Sequence, residues 1–236
     1  MTDVPPAIIQ SMPDQYYAVM RLQRVEDRGD MVMALAHVLA ESNFRDSAEN
    51  QVTGAAGPYQ FLESTWLELI MRHGRSLGVK PELTDHIRLD EAGRATIDDP
   101  QTRRVVLGLR HDIVLATRMT TLYADENRLS MTNQLGRSPG AAEVELSLLL
   151  GPTGASRLLE AARQNPRRPA DDVLPEAATR NGPLFRTQQG GIRSASATVA
   201  YLVDKLVGYR KQILGDLANK PIDLLLAYRP KTDPPR

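Results

Sequence analysis

Glu41-Ser42-Asn43-Phe44 is followed, after a turn-rich stretch, by Gly57-Pro58-Tyr59-Gln60-Phe61. The order is a carboxyl at the end of an apolar segment, a loop, then a glycine with a glutamine three residues on. Such an order can set one acid at the edge of a cleft and fold a loop over it. A second element then supplies an amide and an aromatic face. One carboxyl so placed can deliver a proton to a poor leaving group such as a glycosidic oxygen. It does this near neutral pH only where apolar surroundings and the negative end of a helix dipole favour the protonated acid. Val38, Leu39 and Ala40 before Glu41, and Phe44 after it, meet the first condition. A lone glutamate at a helix end is ordinarily solvated, and a lone Gln60 is ordinarily a surface amide. Their joint spacing singles them out.

Other chemistries find little footing. His37 stands one turn before Glu41 and can pair with it at i,i+4, although an ordinary histidine without a role fits as well. His73, His86 and His111 lack ligand spacing to any carboxylate cluster, and there is no His-Glu-x-x-His run. No metal and no cofactor are expected. The chain has no cysteine, which excludes disulfides, thiolate zinc sites and cysteine nucleophiles. Gly190-Gly191 is isolated and makes no phosphate loop, and Gly-x-Ser-x-Gly is absent. Trp66 and Phe61 read as core residues. Arg163, Arg167 and Arg168 around Pro166 form a small basic patch, read as a solvated loop.

Helices must position these groups. Apolar residues make up 42% of the 236-residue chain and aromatics only 5%. That balance suits a helical core of Leu, Ala, Val and Met better than a β-sandwich. Asp14 is a plausible cap for a helix over Gln15–Asp27. The clearest amphipathic helix is Met31 to Phe44, with Met31, Leu35, Val38 and Leu39 on one side; it carries Glu41. Asp46 to Gly57 is expected as a loop, and Pro58 opens helical spacing that lasts to Gly74. Residues 75–98 should be irregular with one short helix. Asp98-Asp99-Pro100 starts a long helix to Asn127, and Leu129 to Pro139 is a short helix and turn. Two more helices, Ala141–Leu150 and Ala155–Gln164, are separated by Gly151-Pro152-Thr153-Gly154. Asn165 to Pro183 reads as an exposed loop, and Ser194 to Leu217 returns to helix. The division expected is a lead-in over 1–13, one all-α domain over 14–217 and a Pro-rich tail over 218–236.

Lys plus Arg equals Asp plus Glu, 29 against 29. No basic excess points to nucleic acid. No run is long enough to span a membrane, and Met1 to Gln23 has no basic segment ahead of an apolar one, so no secretory signal is expected there.

The two segments around Glu41 and Gln60 resemble the soluble lytic transglycosylase family. Its motif is Glu-Ser, a variable loop, then Gly-Leu-Met-Gln, and here Glu41-Ser42 and Gly57-Pro58-Tyr59-Gln60 stand in those places. Phe61, Thr65-Trp66 and His73-Gly74 look like an alphaproteobacterial cell-envelope subgroup, as do Leu135-Gly136-Arg137, Glu143, Gly151-Pro152 and Leu158-Leu159. The likeness is strong over 31–74 and traceable to about 207. It departs at the third motif. The family's Ala-Tyr-Asn-Ala-Gly corresponds to Ser147-Leu148-Leu149-Leu150-Gly151 here.

The resemblance implies a lysozyme-like helical fold with additional C-terminal helices. It implies cleavage of peptidoglycan glycan strands between MurNAc and GlcNAc by one carboxyl, an exception to the two-carboxylate scheme. Glu41 would be general acid, then base, and the product a 1,6-anhydro sugar. Ser42, Gly57, Tyr59 and Gln60 would bind substrate, with Gly57 letting backbone approach it. A hydrolytic muramidase on the same fold is the alternative, as is a degenerate protein that holds glycan or a secretion-apparatus partner without cutting. The substrate implies the periplasm or cell envelope. A flagellar or other secretion apparatus, a phage lysis system or a leader could each provide the route.

Overall fold

A computed structural model describes residues 13, 16 and 28–219. The lead-in over 1–13 (save Pro13), the expected helix Gln15–Asp27 (save Tyr16) and the tail beyond 219 lie outside the described residues. The architecture is all-α, with one minimal hairpin among the described residues. The expected single domain over 14–217 contains two compact units, Met1–Thr121 with Gln212–Arg236, and Leu122–Lys211.

In the first unit, α1 (Arg28–Ser42) buries Val32, Leu35, Val38 and Leu39 together with the small Ala34 and Ala36. It stops two residues before the expected Phe44 because Asn43 and Phe44 have φ of 50° and 60°. Asparagine tolerates that region, whereas phenylalanine is rarely found there. Burial holds Phe44 in place, against the Tyr16 ring at a centroid distance of 4.9 Å. Next, α2 (Glu63–His73) begins later than Pro58, since Gly57 to Gln60 form a turn. It buries Trp66, Leu67, Leu69 and Ile70. The Trp66 indole N–H donates to the Val106 carbonyl at 2.8 Å, so this residue is a core anchor with its polar atom satisfied.

A 3-10 turn (Arg75–Leu77) and α3 (Pro81–Thr84) follow, then β1 (Arg88–Leu89) pairs antiparallel with β2 (Ala95–Thr96). Strands of two residues are too short to show alternation in sequence. Asp99 caps α4 (Pro100–Gly108), accepting from the Thr102 N–H at 2.7 Å. The long helix expected to run to Asn127 is broken. A 3-10 turn over Leu109–His111 leads to an extended Asp112, which accepts the Leu115 N–H at 2.9 Å and starts α5 (Ile113–Leu135). Every residue type here tolerates helix, so the break is invisible to propensity; a second N-cap decides it. At its other end α5 absorbs the start of the short helix expected over 129–139.

In the second unit, α6 (Ala141–Gln164) covers both helices expected there, with a kink at Gly151. Its φ of 70° and ψ of 161° belong to a region essentially reserved for glycine. Asn165–Pro183, expected as an exposed loop, holds α7 (Ala170–Val173), α8 (Pro175–Arg180) and the start of α9 (Gly182–Phe185). Ala170, Val173 and Leu174 sit at i, i+3 and i+4 and are buried with Leu158, Phe185 and Ala195. That short apolar pattern is masked in sequence by neighbouring Pro, Arg and Asp. The last helix, α10 (Ala195–Asn219), contributes Leu202 and Leu206 to a core with Met131, Leu146, Ala155 and Leu159.

Candidate active site

Glu41 stands half-buried in the last turn of α1, in the first unit. The chain leaves α1 through the two left-handed residues 43 and 44 and folds back as a tightly tied loop. Ala56 bridges both Glu49 and Phe61. The Asn50 side chain accepts the N–H groups of Val52 and Thr53, each at 3.0 Å, and so shapes the loop tip. Val52 on that tip is 94% exposed, unusual for a residue held in an ordered turn.

Gln60 also has positive φ, 49°. Its amide donates to Ala48 O at 3.1 Å and Gly57 O at 2.8 Å, while the Gly57 N–H donates to Ala48 O at 2.9 Å. The glutamine thus staples the two arms of the loop together. Its donors face loop carbonyls, where an approach to Glu41 and sugar was expected.

Three other expected roles shift in the same way. Ser42 is 1% exposed and its hydroxyl donates back to Val38 O at 3.1 Å. Tyr59 is 3% exposed; its hydroxyl donates to Thr117 Oγ1 at 2.9 Å, and Thr117 in turn donates to Ile113 O. These hydroxyls lie beneath the surface and cannot be displayed to a sugar in this arrangement. Gly57, expected to let substrate backbone approach, is needed by the protein itself. A Cβ there would lie 2.1 Å from the Arg110 carbonyl oxygen.

The elements are joined through His37. It is buried, and its ring stacks on Tyr59 at 6.2 Å between centroids and 18° between planes. Burial pushes its pKa below 6.5, and the nearby negative charge of Glu41 opposes that shift. A histidine with a lowered native pKa resists a proton that the unfolded chain accepts. Stability is therefore full above pH 6.5 and falls as pH drops through the window below it, by up to about 1.4 kcal/mol per pH unit. Urea unfolding at pH 7.5 and 5 should show a smaller loss for His37→Gln than for the wild type. Equal losses would rule out the buried neutral imidazole.

The sequence alone did not single out Arg110, the fastener of the loop. Its side chain donates to Leu107 O at 3.0 Å, Gly54 O at 2.9 Å and Phe61 O at 3.1 Å. Burial holds its pKa below the usual arginine value, and the charges of Glu63 and Glu49 offset part of this. Beside it, His111 Nδ1 lies 2.6 Å from Asp46 O. A carbonyl only accepts, so that nitrogen carries the proton. Tyr16 donates to the Asp46 carboxylate at 2.8 Å. In sequence Arg110 and His111 fall inside the single helix expected from Pro100 to Asn127, where such a pair reads as part of a solvated helix face. Arg110→Met should strand the Gly54 and Phe61 carbonyls and cost about 2–4 kcal/mol, on the usual scale for unpaired buried polar groups. Arg110→Lys should rescue little, because a point charge cannot span carbonyls that the fork reaches. Urea midpoints within 0.5 kcal/mol of wild type (roughly the surface-mutation scale) would contradict this.

The third sequence motif lies in the second unit. Ser147 is buried, its hydroxyl donating to Val144 O at 2.5 Å, and Leu149 packs against the Leu146, Leu202 and Leu206 cluster. Among the described residues no group of three or more His, Asp or Glu could hold a metal, and no helix is long and apolar enough to cross a membrane. No family model matches the chain, and no curated protein matches it.

Proposed function

We propose that the chain is a murein lytic transglycosylase with a lysozyme-like core, Glu41 being its single acid and base. The observation that carries this reading is the joining of its two motifs. Half-buried Glu41 stands one helical turn after His37, whose buried ring stacks on Tyr59 in the turn that holds Gly57 and Gln60, within one compact unit.

In the reaction, protonated Glu41 gives its proton to the oxygen bridging MurNAc C1 and GlcNAc, and the C1–O bond breaks. The MurNAc N-acetyl oxygen attacks C1 as an internal nucleophile. Glu41, now a carboxylate, takes the proton of the C6 hydroxyl as that oxygen displaces the acetamido oxygen from C1. The acid is regenerated and the product is a 1,6-anhydro sugar. Ser42, Tyr59 and Gln60 are positioning residues in this scheme. Ser42 braces the last turn of α1, Tyr59 ties its turn to α5, Gln60 staples the loop, and Gly57 makes the loop's close packing possible.

Murein digested by the full chain should yield fragments lighter by one water than hydrolytic products, read by mass spectrometry. Reducing ends without the anhydro sugar would assign a hydrolytic muramidase instead. The working place of such an enzyme is the periplasm or cell envelope, with a flagellar or secretion apparatus as a candidate partner.

One observation favours a second reading, a binding protein that holds glycan without cutting. Leu148 and Leu149 replace the Tyr-Asn of the resembling family, and Leu149 is committed to the apolar core. Murein binding without product release would support that reading.

A further inference from the structure

The second unit contains a cavity of about 330 Å³, within the size range of small-molecule sites. Gln134, Ser156, Arg157, Glu160, Gln164 and Arg168 supply its polar lining. Glu160 is already engaged. Arg163 grips it at 3.1 and 2.5 Å, Gln164 donates to it, and the arginine holds its carboxyl below the usual range. The two lining arginines are engaged differently. Arg157 donates to Val173 O at 2.8 Å and Arg168 to Asp172 O at 3.4 Å. Both acceptors are neutral carbonyls, and among the described residues neither guanidinium forms an ion pair with a carboxylate. The lining therefore carries two positive charges that no carboxylate among the described residues neutralises by contact. At the inner wall, Ser156 is 5% exposed and its hydroxyl has no hydrogen-bond partner among the described residues. A buried hydroxyl left unsatisfied calls for a group that the protein alone does not supply.

We propose that this cavity binds a small carboxylate-bearing ligand, the free C-terminus of a short peptide being the form it fits. A guanidinium fork matches a planar carboxylate with two parallel hydrogen bonds. The Gln134 and Gln164 amides donate to Ser130 and Glu160 and leave their carbonyl oxygens as acceptors for peptide N–H groups, and Leu135 and Ala161 in the lining give small side chains an apolar surface. Glu160 in the same wall disfavours a phosphate dianion more than a singly charged carboxylate. The site is independent of the chemistry assigned to Glu41.

The test uses the full chain and amide-resolved NMR titration with N-acetyl-alanyl-alanine, its C-terminal amide and inorganic phosphate. The carboxylate should give saturable shifts confined to residues 134–173, and the neutral amide should bind at least about tenfold more weakly. The double variant Arg157→Gln, Arg168→Gln should lose about tenfold or more in affinity, on the scale of charge-assisted hydrogen bonds. Both side chains are exposed, so its melting temperature should stay near wild type. Should it unfold, the carboxylate–amide comparison on the wild type still decides. Equal binding of acid and amide, tighter binding of phosphate, or no saturable shift in this segment would each overturn the proposal.

Discussion

Glu41→Gln is expected to abolish murein cleavage while leaving the protein folded. Glutamine matches the shape of glutamate and trades one acceptor oxygen for an NH2 donor, a change that a half-buried, partly solvated site accommodates. It cannot give up or take a proton. General acid–base catalysis contributes about 10²- to 10⁴-fold, and here one group serves both proton transfers. A fall of at least about 10³-fold in anhydro product follows, measured by mass spectrometry of soluble fragments. Stability in urea should change by less than about 1 kcal/mol, as for shape-preserving changes away from a packed core. Equal activity in the two proteins, including none in either, would remove the enzyme reading.

Gly57→Val carries the largest expected cost in stability. Two penalties add at this position. Its φ of 78° is strained for any side chain, worth about 1–2 kcal/mol. The added Cβ would also meet Arg110 O at 2.1 Å and Arg110 C at 2.8 Å, and backbone cannot rotate away as a side chain can. Relief requires the loop turn and the 3-10 turn over Leu109–His111 to separate. That motion would loosen the Arg110 bonds to Gly54 and Phe61 and the Ala48 contact of Gln60. A loss of at least about 3 kcal/mol is expected, at the top of the range for single substitutions, with loss of any murein-cleaving activity. Gly57→Ala should show most of the effect, since the first carbon makes the clash. Gly54→Ala is the matched control. It has a similar φ of 71°, but nothing lies within 4 Å of a Cβ there. It should cost only the conformational strain. Equal urea midpoints for the two alanine variants would refute the close approach.

Much of this geometry was visible in outline from the residue order. The buried Leu35, Val38 and Leu39 of α1, the Asp99-Pro100 start of α4 and an interruption at Gly151 were legible, because each is a local rule expressed over a few residues, although α1 also buries Ala34, Ala36 and His37 and the interruption is a kink within α6. Three places were not. Asp112 splits one expected helix into two by capping, in a segment whose residues would all accept helix. Ala170, Val173 and Leu174 form a buried helical cluster inside a segment whose composition reads as exposed loop. Phe44 adopts a backbone conformation that its own type disfavours, held there by burial.

The sequence by itself determined the helical class, the absence of thiol chemistry, and the one acid worth testing. Those follow from composition, from period and from which side chains can carry a proton. Only the tertiary structure decided what the companions of Glu41 do. Ser42, Tyr59 and Gln60 turned inward because a buried hydroxyl or amide must find a partner, and the nearest partners were Val38, Thr117 and the carbonyls of Ala48 and Gly57. That search for partners runs across 58 residues from Tyr59 to Thr117. No local pattern encodes a contact of that span, since it exists only once the turn that holds Tyr59 has packed against α5.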